Sequence, residues 1–161
     1  MRRLFIWFDK DCEATLDYEL KSTVRHAIEC ALDYEGILYD VEISFTLTDN
    51  EGIRELNSRH RGVDRHTDVL SFPMYEGDEL SALSFGDTAE LGDIVVSDER
   101  AREQAEELGN TYLEELAFLC IHSVLHLLGY DHERSKEDDE EQCAHQREIV
   151  KLMNTRYNNE K

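Results

Sequence analysis

The stretch that most restricts the fold is TYLEELAFLCIHSVLHLL, from Thr111 to Leu128. Thr111 and Glu114 stand at capping-box spacing, so a helix begins there. Leu113, Leu116, Ala117, Cys120, Ile121, Val124, Leu125 and Leu128 then recur at helical intervals over a wide apolar arc. A helix with so little polar surface has to be covered on most sides, which calls for a layered domain with this helix near its centre.

The covering elements are legible upstream. Residues 2 to 8 read as a short buried strand. Leu16, Leu20, Val24, Ala27, Ile28 and Ala31 mark a helix that stops before Gly36. In VEISFTLTD, Val41, Ile43, Phe45 and Leu47 alternate with polar residues, as in a strand with one buried face. Asp49 caps a short helix carrying Ile53 and Leu56, and the polar loop SRHRGVDRH leads to the strand TDVLSF, closed by Pro73. Met74 to Glu90 reads as an exposed loop, LGDIVVS as a strand, and Ser97 as the cap of a helix ending at Leu108 and Gly109. Ser135 starts a last helix with Cys143, Val150, Met153 and Tyr157 on one face. The order β-α-β-α-β-β followed by three helices predicts an α+β fold, in which a small mixed sheet of about four strands packs against a helical layer. Residues 1–161 are expected to form a single domain.

The same central helix carries the chemistry. HSVLHLLGYDH places His122, His126 and His132 at HxxxHxxGxxH spacing. Residues four apart share a helix face, and Gly129 can turn the chain back so that His132 arrives as a third ligand. Three neutral nitrogens suit one Zn2+ per chain and leave a fourth position for a water that ionises near neutral pH. Zinc peptidases of the metzincin type use this spacing with a glutamate after the first histidine. Here that position holds Ser123, which cannot act as a carboxylate base.

Charge narrows the partners. The chain has 17 Lys and Arg against 37 Asp and Glu, a net charge of −20, which repels nucleic-acid phosphates at long range and favours basic proteins. The segment from Arg54 to His66 runs the other way, with Arg54, Arg59, Arg61, Arg65, His60 and His66 against Glu55 and Asp64. The apolar run Leu4 to Phe8 is too short for a signal peptide or a membrane span, so no membrane partner and a cytoplasmic location are expected. Cys12, Cys30, Cys120 and Cys143 lack CxxC spacing and read as free thiols.

HSVLHLLGYDH, with LNSRHRGVDRHTDVLSFP from Leu56 to Pro73 and ELGDIVVS from Glu90 to Ser97, resembles the YbeY family of bacterial metal-dependent endoribonucleases of ribosomal RNA maturation. The resemblance implies zinc on His122, His126 and His132 and endonucleolytic cleavage of single-stranded ribosomal RNA. It further implies work in 3′-end maturation of the small-subunit RNA and in ribosome quality control, beside the small ribosomal subunit and its basic proteins. Arg61 occupies the arginine of the family's LNxxxR motif, and a guanidinium there would hold nonbridging oxygens as charge builds in the transition state. Ser123 stands where the family usually has glycine. Arg59, Arg65, His60 and His66 are weaker candidates for phosphate contacts. Asp131 is a candidate for orienting a histidine or handling a proton, with a helix-end hydrogen bond as the alternative, and Thr67, Asp68 and Ser71 are candidates for lining a groove, with strand-end capping as theirs. Asp93 is left outside the catalytic set. Two other functions compete: a non-catalytic ribosome-assembly factor with a structural zinc, and a zinc peptidase, which Ser123 disfavours.

Overall fold

The structure is a computed structural model that describes residues 2–76, 78–130 and 136–160, with side chains except at 136, 138, 139 and 155–160. Four strands, β1 (Leu4–Asp11), β2 (Asp40–Thr48), β3 (Val69–Pro73) and β4 (Thr88–Ser97), form one sheet in the order β1-β2-β4-β3. The first three in that order run parallel and β3 pairs antiparallel with β4, so the sheet is mixed. The helices are α1 (Tyr18–Tyr34), α2 (Asn50–Arg61), α3 (Asp98–Leu108), α4 (Tyr112–Leu127) and α5 (Lys136–Glu160). The expected α+β architecture is what these elements form.

Strand periodicity decides which face is which. Val41, Ile43, Phe45 and Leu47 of β2 are all buried, and across the ladder they meet Leu4, Ile6 and Phe8 of β1 and Ala89, Ile94 and Val96 of β4. This face packs against α1 and α4 in the main core, with Val24, Ile28, Leu116, Cys120 and Val124 among its members. The other face is only partly covered: Leu70 and Val95 join Ile53 of α2 in a small second cluster.

The central helix reaches the sheet through one glycine. The β2–β4 register slips between Glu42 and Ile43, so Leu91 is an extra residue and Gly92 sits opposite Ile43 on the core face. At Gly92, φ is +141°, and a Cβ there would lie 2.1 Å from the Phe72 carbonyl oxygen and 3.1 Å from Leu127 Cδ2. The missing side chain is space taken first by the Phe72 main chain of β3, with Leu127 at the end of α4 coming in more loosely beside it.

Four details differ from the sequence reading. β1 is an edge strand rather than a buried one: Phe5 and Trp7 are 45% and 65% exposed, on the sheet face turned away from α1 and α4. The helix that starts at Asp49 runs through Ser58, Arg59 and His60 to Arg61 and is capped by Gly62, so these residues are not in a loop. β4 begins at Thr88, inside the segment read as a loop, which also holds a short 3-10 turn at Glu79–Ala82. On α5, Val150 and Met153 pack partly buried against the core as expected, but Cys143 is exposed, and among the described side chains the buried ones are Gln142, Gln146 and Ile149. Ser135 and the Tyr157 side chain lie outside the described residues. All four cysteines are free thiols.

Gly92→Ala should destabilise the fold by about 2–5 kcal/mol, adding backbone strain to a steric conflict that cannot be relieved without moving β3. Gly86→Ala, also at positive φ but with open space where its Cβ would go, should cost less. Urea unfolding of both variants measures the difference.

Candidate metal centre on helix α4

The helix that carries the histidines is fixed at both ends. The Thr111 hydroxyl accepts from the Glu114 backbone N–H at 3.1 Å and the Glu114 carboxylate accepts from the Thr111 N–H at 3.0 Å, completing the capping box. These hydrogen bonds hold the Glu114 carboxyl below its ordinary range. At the other end Leu128 N–H bonds Val124 O, and Gly129, with φ at +114°, turns the chain so that Tyr130 N–H reaches Leu125 O at 3.0 Å. The Tyr130 hydroxyl then donates to Glu35 Oε2 at 3.2 Å, while Glu35 Oε1 lies 2.6 Å from His145 Nδ1. Burial and the nearby Glu35 push the Tyr130 hydroxyl well above the ordinary phenol range. The chain leaving α4 is thereby tied to α1 and α5.

Helical spacing puts Glu115, Leu119, His122 and His126 in one stripe along α4. At its start, Gln104 of α3 donates to Glu115 Oε1 at 2.5 Å and to Asp68 Oδ2 at 3.1 Å, and Asp68 Oδ1 accepts from Val69 N–H at 2.8 Å. Asp68, a candidate groove residue, therefore caps β3 and links it to α3. Further along, both histidines are half-buried. His122 Nδ1 faces α5, 3.2 Å from Gln142 Nε2 and 3.4 Å from Gln146 Oε1.

The structure thus brings His122 and His126 together on one helix face. His132 and Asp131 lie outside the described residues, and among the described residues no three His, Cys, Asp or Glu side chains gather around one point. The two imidazoles fit a metal as a donor pair: they are neutral nitrogen ligands one turn apart, and with Nδ1 of His122 turned to α5, Nε2 is the nitrogen suited to an ion. Nearby alternatives fall away. Burial pushes the Cys120 thiol up to about 12, so it stays protonated at neutral pH. Ser123 is fully buried and its hydroxyl has no hydrogen-bond partner, so it is not placed to act as a base.

Arg61 comes from a different quarter. It ends α2, exposed, and α2 packs on the sheet face opposite α4. Both helices contact the edge strand β3 and its neighbour β4, so the short way from Arg61 to the histidines passes round the free edge of β3. The segment after Arg61 is held down: Asn57, nearly fully buried, donates through Nδ2 to Arg65 O at 3.0 Å, and the His60 ring packs 5.0 Å from that of Phe72. The basic character expected of this segment is partly cancelled. Arg54 is bonded to Asp64 at 2.8 Å and Arg59 to Glu55 at 3.0 Å, and the Arg54 partnership lowers the Asp64 carboxyl. On β3, Ser71 pairs in register with Ile94, on the face turned to α4; Asp93 is exposed on the opposite face, away from the histidines. A cleft of about 590 Å³ opens beside Gly129 and Tyr130, but Glu35 and Glu141 line it and make it a poor place for phosphate.

The family described as Endoribonuclease YbeY matches residues 7–154. The chain belongs to the YbeY family. Relatives named Endoribonuclease YbeY include those of Caldanaerobacter subterraneus subsp. tengcongensis, 46% identical over 73% of this chain and 78% of the relative, and Agathobacter rectalis, 38% identical over 91% and 96%. One from Clostridium botulinum strain Hall is 44% identical over 84% and 89%. The solution structure of TM1509 from Thermotoga maritima is also similar, with a TM-score of 0.63 and 29% identity, covering 97% of this chain and 93% of that one. The YbeY match takes in α4, α2 and every strand but the first residues of β1.

The capping box sets one pH-dependent expectation. Glu114 has a folded pKa below its unfolded value, so its contribution is complete above the unfolded value and is lost as pH falls through the folded one. Thr111→Ala should cost about 1 kcal/mol at pH 7, and Glu114→Gln, which removes the titrating group itself, should flatten the loss of stability on acidification, as measured by urea unfolding at pH 7 and pH 4.

Proposed function

We propose that this chain is a metal-dependent endoribonuclease that cuts single-stranded RNA, acting in 3′-end maturation of small-subunit ribosomal RNA and in ribosome quality control in the cytoplasm. The observation that carries this reading is the pair His122 and His126 on one face of a buried, doubly anchored helix, in a chain whose relatives are named endoribonucleases. His122 and His126, joined by His132, would hold one zinc through imidazole nitrogens. Bound there, zinc supplies Lewis acidity, which activates water near neutral pH and polarises a phosphoryl oxygen. The chain's own contribution is to fix those rings with α5 and the Gly129 turn, and to bring a guanidinium to the phosphate. Arg61, at the end of α2, binds nonbridging oxygens in a two-pronged geometry and opposes the charge that grows on them.

A second reading is an assembly factor that docks on basic ribosomal proteins with a structural metal. The net charge of −20 supports it, as does the outer sheet face, where the exposed aromatics Phe5 and Trp7 lie beside Glu42, Glu90 and Asp93. Labelled RNA incubated with metal-loaded protein, with and without chelator, separates the two readings, and casein in place of RNA tests the peptidase. Chelator-sensitive RNA cleavage supports the nuclease; RNA left intact by the metal-loaded protein, with binding to basic ribosomal proteins in a separate titration, supports the factor.

The purified protein should carry about one zinc per chain, and His126→Ala should lose most of it by elemental analysis; undiminished zinc in that variant would place the site elsewhere. Arg61→Ala should lower kcat/KM for RNA by about 100-fold with zinc content and thermal unfolding unchanged. Arg61→Lys should recover only part of the rate, since it keeps the charge and loses the fork.

A further inference from the structure

The least expected feature of α5 is what it buries. Gln142 and Gln146, one turn apart, are 1% and 4% exposed, and with Ile149 they form the side of α5 that faces inward. Burying an amide is unfavourable unless both its ends are bonded. Here each glutamine has one bonded end, and Gln142 Oε1 and Gln146 Nε2 have no partner. Packing alone would favour leucine or methionine at both positions. What the two amides share is a target, since both reach the imidazole of His122.

Only one of them can bond Nδ1 in a given tautomer. If Nδ1 is bare, Gln142 can donate to it, but the Gln146 carbonyl then faces a lone pair and becomes a third unsatisfied buried atom. If Nδ1 carries the proton, it donates to Gln146 Oε1, and the Gln142 amide N–H turns to its other acceptor, the His122 main-chain oxygen at 3.4 Å. Around Nδ1, the second arrangement satisfies more groups. It also leaves the lone pair on Nε2, the form in which a histidine binds an ion while its far nitrogen is held by an acceptor.

We infer that Gln146 is a positioning residue that holds His122 in the Nδ1–H tautomer, so that Nε2 presents its lone pair to the metal. The part concerning the ion rests on the proposed role of His122 as a ligand; the part concerning the tautomer does not. Gln142 has the opposite leaning, because a donor aimed at Nδ1 favours the other tautomer. The two buried glutamines are therefore not equivalent. The same substitution at each should have different consequences.

The experiment compares Gln146→Met, Gln142→Met and Gln146→Glu with the wild-type full chain. Methionine keeps length and helix compatibility while removing a half-bonded amide, and glutamate restores an oxygen acceptor. Nitrogen-15 NMR of the metal-free proteins reads the His122 tautomer, competition with a chromophoric chelator reads zinc affinity, and thermal unfolding checks the fold. Wild type and Gln142→Met should show Nδ1–H, with zinc affinities within about threefold of each other. Gln146→Met should shift toward Nε2–H and bind zinc about 10–100-fold more weakly, and Gln146→Glu should recover that loss. An unchanged tautomer in Gln146→Met overturns the inference, and so does equal weakening by both methionine variants, which would mean a shared packing role. If no protein in the series binds zinc, the ligand reading fails by itself, and the tautomer of the metal-free proteins still decides the role of Gln146.

Discussion

The rest of the molecule is arranged around the burial of α4. A helix whose Leu116, Cys120, Ile121, Val124 and Leu125 are all fully buried needs neighbours on nearly every side, and α1, α3, α5 and the sheet supply them. Where it meets the sheet, at Gly92, the strand gives up a side chain and gains a bulge, and both the Phe72 carbonyl of β3 and Leu127 of α4 close on the space. Because packed interiors tolerate little displacement, this contact fixes the depth of α4 and with it the height at which His122 and His126 stand above the core. The histidines are accurately placed because the apolar residues around them have nowhere else to go.

Polar contacts then complete what the core begins. Along the histidine stripe, Glu115 is bonded through Gln104 to the same network as Asp68, so the start of β3, α3 and α4 are pinned to one another. At the far end, Tyr130, Glu35 and His145 link the turn after Gly129 to two other helices. Both clusters are partly sheltered from water, where hydrogen bonds to charged groups count for more than on the surface. Neither contains a residue of the donor pair; they hold the frame in which the pair sits.

Much of this could be read from the sequence, for a physical reason. The capping box at Thr111, the apolar arc of α4, the turn at Gly129 and the alternation in β2 are local patterns, each determined by residues within a few positions of one another. What escaped depends on neighbours far along the chain. Phe5 and Trp7 look like core residues in a strand, and only the strand order makes them edge residues with an open face. Ser58 to Arg61 have no apolar period because the last turn of α2 is exposed, so nothing but Gly62 marks where the helix stops. Gln142 and Gln146 were invisible because a polar residue on a helix normally faces water. The spacing of the histidine pair was legible, yet the acceptor behind His122 comes from another helix.

The ion pairs on α2 have a further consequence. Arg54 and Arg59 spend their charge on Asp64 and Glu55, within a protein that already carries an excess of carboxylates. Such a surface gives free RNA little electrostatic guidance and much repulsion, and encounter by diffusion alone is slow when the long-range field has the wrong sign. For the activity proposed here, that is a form of restraint. A nuclease drawn to any polyanion would damage bystander transcripts throughout the cell, whereas one that repels them acts where another macromolecule holds the strand in place against the field. Selectivity would then reside in delivery rather than in recognition of bases.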